Sequence, residues 1–263
     1  MTAKPFFEAV IPVELTAKER IQRDIARYNA LEGVQTDGID CPICKNKQII
    51  YTSDESGEYL ITRDCQCKKQ HESLRLARQS GMNELLKCSF TNFDTTEAWQ
   101  KKMLSAAKAF ADNPHRWFYI AGQSGCGKTH LASAICNELM SRNYLVRRMP
   151  WIVDSERLKA ARNTPDYQKL MNTFKTCDVL YIDDFFKVQH GTTPTAADVK
   201  LAFELLDTRM VEGKITVFTS ELFAADVTAI DEAVGGRIME MTAGGNRLAI
   251  DRNRNRNYRL KQK

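Results

Sequence analysis

Residues Gly122–Thr129 read GQSGCGKT and match the pattern G-x-x-x-x-G-K-[ST]. The apolar run 117–121 precedes them and a helix-compatible segment begins at Lys128, so the pattern joins a predicted strand to a predicted helix. In that setting glycines let the backbone turn so that successive N–H groups face phosphates at the positive end of the helix. We therefore predict a nucleoside-triphosphate site made of Gly122, Gln123, Ser124, Gly125, Cys126, Gly127, Lys128 and Thr129.

Within this loop two side chains have predicted tasks. Lys128 is placed to reach the β- and γ-phosphates, and the Thr129 hydroxyl is placed to hold Mg²⁺. A partner acid is expected nearby, because the apolar run 179–182 is typical of a buried strand and ends in Asp183 and Asp184. Asp183 would order the water shell of the metal, and Asp184 would orient or deprotonate the attacking water. The alternative is that both aspartates only cap the following turn.

Strand and helix patterns alternate along the second half of the chain. The predicted strands cover residues 117–121, 144–148, 179–182 and 215–219, and the predicted helices include 96–111, a helix from 128 and 196–211. Strands that alternate with helices form a parallel sheet with both faces covered. The sequence therefore predicts an α/β fold.

Four cysteines in two close pairs precede this region. Two short β-type runs, 48–52 and 59–62, flank the polar turn 53–57, so the pairs stand at the two ends of a predicted hairpin. Four thiolates supply the tetrahedral ligand set that structural zinc prefers, and they leave no position open for water. We predict a structural Zn²⁺ held by Cys41 and Cys44 (C-x2-C) and by Cys65 and Cys67 (C-x-C). His71 stays open as a substitute fourth ligand, and a redox pair is the alternative.

Composition sets the broad class. The chain has 263 residues, 43% of them hydrophobic, which is enough for one sizeable core and a small added module. No run approaches the roughly 20 apolar residues of a membrane span, and the amino terminus lacks the plan of a secretory signal. We expect a cytoplasmic protein. The stretch 252–263 carries six basic residues and no acidic one, which suits either a solvated tail or a nucleic-acid backbone.

The chain is expected to divide into three segments. Residues 1–70 would form a module of one helix and the zinc site; the helix begins at a capping box, Thr16 to Glu19, and its apolar stripe packs on this module or on a partner. Residues 71–89 are polar, break at Ser80-Gly81 and resemble a linker. Residues 90–263 would form the nucleotide-binding domain.

Taken together, the motifs resemble the DnaC and DnaI helicase-loader family of bacteria and phages, whose AAA+ ATPase module is shared with the transposition helper IstB. The resemblance covers about residues 90–263 and rests on FTNF, GQSGCGKT, YIDDFFK, VFTSE, GGRIME and NYRLK, which occur in this order. The cysteine-rich module is similar to the amino-terminal zinc domain of the DnaI type, which binds the replicative helicase.

The resemblance implies a role for each matching residue. Lys128 and Thr129 match Walker A, Asp183 and Asp184 match Walker B, Ser220 matches the sensor-1 region, and Arg237 matches the arginine finger that completes a neighbour's site. From the residues alone, Thr219-Ser220 could sense the γ-phosphate or merely form a turn. The motif GGRIME is expected to put Arg237 at a helix start. Without a recognisable lid, Arg247, Arg252 and Arg254 are equal candidates for a second sensor.

The implied function is ATP-dependent loading of a hexameric replicative DNA helicase onto single-stranded DNA, with ATP, Mg²⁺ and Zn²⁺ as cofactors. The resemblance also implies that the protein self-associates through AAA+ interfaces, either by itself or only when bound to the helicase. It implies weak basal ATPase activity as well. The run 147–151, RRMPW, could contact single-stranded DNA by stacking and charge, or could be structural. Two other functions stay open: an IstB-like helper that acts on duplex DNA, and a zinc-ribbon nucleic-acid-binding regulator switched by ATP.

Overall fold

The computed structural model describes residues 15–79, 83–188 and 192–259. It divides into two compact units, Met1–Lys68 and Lys69–Lys263. Residues 1–14 of the amino-terminal stretch, the Ser80-Gly81 break and the last four residues of the basic tail lie outside the described residues. Among the residues that are described, no helix has both the length and the apolar composition to cross a membrane.

The first unit is a helix packed on a hairpin. Helix α1 spans Ala17–Ala30, and strands β1 (Ile49–Ser53) and β2 (Leu60–Asp64) pair antiparallel. The predicted capping box is confirmed, because Thr16 and Glu19 exchange side-chain to backbone hydrogen bonds at the start of α1. The rings of Tyr28 and Tyr51 stack with centroids 4.9 Å apart. The helix therefore packs on its own module.

The second unit is a five-stranded parallel sheet covered by helices, so the predicted α/β fold is confirmed. The sheet order is β4-β5-β6-β3-β7, and every pairing in it is parallel. The strands are β3 (Trp117–Gly122), β4 (Val146–Pro150), β5 (Val179–Asp183), β6 (Ile215–Ser220) and β7 (Arg247–Ile250). The helices are α2 (Lys68–Gln79), α3 (Ala98–Asp112), α4 (Lys128–Ser141), α5 (Trp151–Ala161), α6 (Asp166–Thr176), α7 (Ala196–Val211), α8 (Ala224–Ile230) and α9 (Glu232–Met241).

Alternate residues of the strands fill two separate cores. In β3, Trp117 and Tyr119 face a core completed by helices α5 to α9, whereas Phe118 and Ile120 face a core completed by α3 and α4. Successive side chains of a strand point to opposite faces, so a strand buried on both faces is apolar throughout. This arrangement fixes the carboxyl ends of β3, β5 and β6 side by side at one edge of the sheet.

Helix α2 occupies residues 71–79 of the segment 71–89 that was predicted to be a linker. Its residue Ser73 is buried, and its hydroxyl accepts a hydrogen bond of 2.8 Å from the Val146 N–H on the edge strand β4. The helix therefore supplies a partner for a backbone group that the sheet leaves unpaired. Within the second unit, α2 is packed structure, and the division into three segments stays a prediction.

Candidate functional site

The glycine-rich loop joins β3 to α4, as the sequence predicts. Gly127 has φ +91° at the start of α4, and a Cβ atom there would approach the ring of Phe93 to 2.9 Å. Only glycine meets both conditions without strain. Lys128 is 5% exposed, and its Nζ donates to the carbonyl oxygens of Gly122 (2.8 Å) and Gln123 (2.9 Å). Burial lowers the pKa of this ammonium group.

Asp183 ends β5 opposite the loop and is almost fully buried. The Thr129 hydroxyl lies 3.5 Å from its Oδ1, so the two predicted Mg²⁺ side chains lie next to each other. Tyr181 and Thr219 donate hydroxyl hydrogen bonds of 2.6 and 2.7 Å to the same oxygen, and Arg148 forms an ion pair with Oδ2. Burial by itself raises the pKa of Asp183, but these donors and the guanidinium together hold it below its ordinary value.

Asp184 faces a cavity of about 240 Å³ that the glycine-rich loop also lines. Its backbone is left-handed, with φ +56°, which is uncommon for a residue other than glycine and is often found at functional sites. Its carboxylate pairs with Lys187 at 2.8 Å, and Lys187 also pairs with Glu221 at 3.2 Å. The second carboxylate, Glu221, lines the cavity and was not predicted, because nothing in the motif VFTSE singles it out.

Thr219 and Ser220, the pair predicted to sense the γ-phosphate, lie in two different environments. Thr219 Oγ1 donates to Asp183 and accepts from the Asp184 N–H at 2.9 Å, so this hydroxyl contacts both acids. Ser220 is fully buried, and its hydroxyl donates to the Phe185 carbonyl oxygen at 2.8 Å. The role of Ser220 stays a prediction, and Thr219 is the residue of the pair that contacts the acids directly.

Arg148 was predicted only as a possible DNA contact, and its ion pair with Asp183 is new. The two residues lie on the neighbouring strands β4 and β5, where Pro150 pairs with Asp183 in register. Arg148 and Tyr181 also line a separate groove of about 600 Å³ between β4 and α2, α5 and α6. The wall of this groove therefore includes two of the residues that contact the Asp183 carboxylate.

Replacing Arg148 with alanine is expected to lower the free energy of unfolding by about 3 to 5 kcal/mol at neutral pH, because it leaves a buried carboxylate without its cation. The folded pKa of Asp183 is depressed, so its stabilising contribution is present above its ordinary pKa of 3.8 and is lost as the pH falls through the folded value. The difference between variant and wild type should therefore shrink below about pH 4. Urea unfolding from pH 7 to pH 3 measures this.

The neighbouring Arg147 provides the matched control. Its guanidinium lies over the Phe174 ring at 5.9 Å, and it forms no ion pair with a described residue. Arg147→Ala should lower the free energy of unfolding by less than about 1 kcal/mol at every pH. Equal losses for the two variants would contradict a specific role for the Arg148 to Asp183 pair.

Arg237 lies in the middle of α9, so its expected position at a helix start is wrong. The helix starts earlier because the Asp231 side chain caps it, accepting a hydrogen bond of 2.8 Å from the Val234 N–H. The Arg237 guanidinium donates to Asp207 on α7, with distances of 3.1 Å from Nε and 2.5 Å from Nη2. It also lies over the Phe203 ring at 4.3 Å. Its side chain is 24% exposed, so it borders the surface.

The stacking role considered for the run RRMPW is wrong for its tryptophan. Trp151 is 1% exposed and packs edge-on against Phe185 and Phe186, with ring centroids 5.0 and 5.3 Å away. A base cannot stack on a ring that the core encloses. The tryptophan instead supports the turn that carries Asp183 and Asp184.

The four predicted cysteine ligands converge in the first unit. All are buried, and their sulfur atoms lie within 4.8 Å of one another. The Cys41 to Cys65 and Cys44 to Cys67 sulfur distances are 3.8 and 3.5 Å. A tetrahedral zinc site with bonds of about 2.3 Å separates its sulfur atoms by about 3.8 Å, so this geometry fits zinc. Among the residues the structure describes, the cluster consists of these cysteines alone, and His71 belongs to the second unit.

Comparison with known proteins places the second unit in a family. The model of the bacterial DnaA ATPase domain matches residues 86–242, which is more than half of the chain. The uncharacterized protein YqaM of Bacillus subtilis is 30% identical over 209 residues, which cover 73% of this chain and 65% of YqaM. The replicative helicase loader DnaC of Escherichia coli K12 is 26% identical over 197 residues, which cover 72% of this chain and 78% of DnaC.

Solved structures agree with the fold. The crystal structure of DnaI has a TM-score of 0.52 and 25% identity, and the match covers 64% of this chain and 92% of DnaI. The crystal structure of the DnaC helicase loader has a TM-score of 0.57 and covers 65% of this chain and 99% of that protein. At 18% identity, this second likeness bears on the fold alone.

Proposed function

The chain belongs to the bacterial DnaA-type ATPase-domain family, in its DnaC and DnaI branch of AAA+ proteins, and on that basis we propose that it loads a hexameric replicative DNA helicase onto single-stranded DNA. The observation that carries the proposal is the combination of an ATPase-type cavity with a separate cysteine module. The cavity would supply a nucleotide-driven step, and the cysteine module would supply a surface that binds the helicase.

The nucleotide site is proposed to work through residues that already lie together. The backbone N–H groups of the loop and Lys128 would bind the phosphates, and Thr129 and Asp183 would hold Mg²⁺. The bound metal supplies charge neutralisation for the phosphates. Asp184 would orient the attacking water and accept its proton, after its ion pair with Lys187 rearranges. This ion pair agrees with weak basal activity, because it engages the carboxylate that acts as base.

Arg237 is proposed to complete the site of a neighbouring protomer. In a single protomer its guanidinium is engaged by Asp207 and Phe203, so it must change partners to reach a phosphate. Phosphoryl transfer leaves charge on the equatorial oxygens, which a guanidinium supplied in trans stabilises. Assembly, alone or on the helicase, would therefore raise ATPase activity above its basal level.

Replacing Arg237 with alanine is expected to abolish this stimulation, which corresponds to a loss of about a thousandfold in the assembled rate, while ATP affinity stays near that of wild type. Steady-state ATPase rates across protein concentrations, with helicase and single-stranded DNA present, measure the effect. The control is Arg142→Ala, because Arg142 is also an arginine paired with a carboxylate, that of Glu138, and it has no assigned role in the nucleotide site. Full stimulation of ATPase activity in Arg237→Ala would contradict the proposal that Arg237 acts as an arginine finger.

The first unit is proposed to bind Zn²⁺ and to dock on the helicase. Its surface carries apolar side chains that its own fold leaves exposed: Val34 is 82% exposed, Leu31 55% and Ile43 52%. Ile43 lies between the ligands Cys41 and Cys44, so loss of the metal would displace part of this surface. Exposed apolar side chains of this kind are typical of protein contacts.

Loading itself is tested with circular single-stranded DNA coated by a single-strand binding protein. When ATP and this protein are both present, the helicase is expected to unwind a primed strand. When ATP or this protein is left out, no unwinding is expected. Stimulated unwinding supports the loader function. Preferential binding and bending of duplex DNA without unwinding would favour the transposition-helper function instead.

A further inference from the structure

A groove of about 480 Å³ lies between helices α7 and α9, around the guanidinium of Arg237. Its carboxylates come from Asp207 on α7 and from Glu232 and Glu240 on α9, and we call it the acidic groove. Apolar side chains also line it, and one of them, Val211, is 81% exposed. The groove is therefore an open surface feature beside the residue that is proposed to reach a neighbour's nucleotide.

The acidic groove carries more negative charge than its own arginine balances. Asp207 accepts hydrogen bonds of 3.1 and 2.5 Å from the guanidinium of Arg237 and so takes up its charge. Glu232 and Glu240 are exposed, and neither forms an ion pair with a residue that the structure describes. With three carboxylates and one guanidinium, the lining of the groove has a net charge of −2.

This charge opposes the proposed task of Arg237. A bound nucleotide is itself an anion, and carboxylates around the approaching guanidinium repel its phosphates. The surface that meets the acidic groove therefore needs cations, since like charges that face each other across an interface oppose association. The neighbouring protomer must supply these cations, because the guanidinium of the groove is already paired with Asp207.

Residues 252–259, which we call the C-terminal segment, carry such cations next to the glycine-rich loop. The Gln123 side chain and the Asn253 backbone exchange two hydrogen bonds, each 2.8 Å long, and the end of the segment lines the nucleotide cavity. Arg252 and Arg254 flank Asn253, are exposed, and form no ion pair with a described residue. Neither of them lines the nucleotide cavity, so both guanidinium groups are available to a partner.

We propose that two copies of this chain meet with the acidic groove of one against Arg252 and Arg254 of the other. The inference rests on the proposed role of Arg237 in trans, and it names the surfaces that bring this residue to a neighbour's nucleotide. The contact is head-to-tail, because the groove and the C-terminal segment are different surfaces of one chain. The two exposed glutamates of the groove match the two exposed arginines in number and are opposite in charge.

The same contact supplies a new partner for Asp207. When Arg237 turns away from α7 towards a phosphate, the Asp207 carboxylate, which is 44% exposed, loses its cation. A guanidinium of the neighbouring C-terminal segment can replace it, so that one ion pair is exchanged for another. Such an exchange costs less than breaking the pair without replacement, and it makes release of Arg237 depend on assembly.

The test reverses the charge of each surface separately and then of both together. Glu232→Lys with Glu240→Lys makes the groove basic, and Arg252→Glu with Arg254→Glu makes the C-terminal segment acidic. Each pair of changes should raise the protein concentration at half-maximal ATPase stimulation at least about tenfold, because like charges then face each other. The chain with all four changes should return to within about threefold of wild type. ATPase rates across protein concentrations, with helicase and single-stranded DNA present, measure these values.

Lys102→Glu with Lys108→Glu is the control, because both lysines are exposed on α3 and their reversal changes the net charge as much as reversal of the two arginines does. This variant should be stimulated like wild type. Melting curves check the folding of every variant. If the basic groove lowers the melting temperature, Glu232→Gln with Glu240→Gln removes the charge instead and should still raise the half-maximal concentration about threefold.

Wild-type stimulation in either reversed pair would overturn the inference, and so would failure of the four changes together to restore stimulation. An equal loss in the control would overturn it as well, since net charge would then explain the effect. Absence of concentration-dependent stimulation in the wild type would contradict the role of Arg237 in trans, and with it this inference. Stimulated ATPase activity without helicase loading would contradict the loader function and leave the proposed contact standing.

Discussion

Lys128→Ala is expected to weaken ATP binding at least about a hundredfold, because two charge-assisted hydrogen bonds of roughly 1.5 to 3 kcal/mol each are lost. The Lys128 ammonium group lies at the base of the cavity, 2.8 and 2.9 Å from two carbonyl oxygens of the loop. When a nucleotide binds, the same donors are available to the β- and γ-phosphates. Isothermal titration with ATP and Mg²⁺ measures the loss.

Lys187→Ala is the matched control for this prediction. Lys187 is a lysine of the same cavity, but its charge is compensated by Asp184 and Glu221. Its removal should change ATP affinity by less than about tenfold, because no uncompensated cation is lost. An affinity for Lys128→Ala within about threefold of wild type would contradict the assignment of the loop.

The double change Cys41→Ser with Cys44→Ser is expected to remove the metal and unfold the first unit. The fully buried hydrophobic residues described in this unit are the four cysteines themselves, with Ile50 packed against them. A unit with so small an apolar core depends on its metal, and structural zinc contributes on the order of 10 kcal/mol or more to such folds. Metal analysis should give one zinc per wild-type chain and little in the variant.

This variant should keep wild-type ATP affinity, because the nucleotide cavity is lined by residues of the second unit. It should lose binding to the helicase. Cys88→Ser is the control, since Cys88 is a cysteine outside the cluster and should leave zinc content unchanged. A full zinc complement in the double variant would show that these cysteines are not the ligands.

The parts of the site that were predicted are those with local signals. The glycine-rich loop and the Asp183-Asp184 pair each follow an apolar strand, and a parallel sheet brings the ends of its strands to one edge. The cysteine pairs at the ends of a hairpin are equally local. Strand β7 was missed because four residues, RLAI, are too few to give a periodic pattern.

The parts that were missed depend on tertiary contacts. Arg148 is 35 residues from Asp183, and only the register of β4 beside β5 brings them together. Arg259 reaches the cavity because the residues after β7 fold back onto the glycine-rich loop. Its guanidinium there contacts Ser124, which lies 135 residues earlier in the sequence. Trp151 shows the reverse case, since it follows the basic pair Arg147-Arg148 by three residues in the sequence, although its ring belongs to the core. Side-chain direction at the end of a strand is set by packing, which a linear motif does not encode.

The central claim, that this protein binds a replicative helicase through its first unit, is tested by the mass of the complex. Light scattering after size-exclusion chromatography would be run on the protein mixed with a bacterial replicative hexameric helicase, with and without ATP. We predict one complex heavier than the hexamer for wild type and Lys128→Ala, and free hexamer for the Cys41→Ser, Cys44→Ser variant. Separate elution of wild type and helicase, with ATP present and at micromolar concentrations, would contradict the loader function.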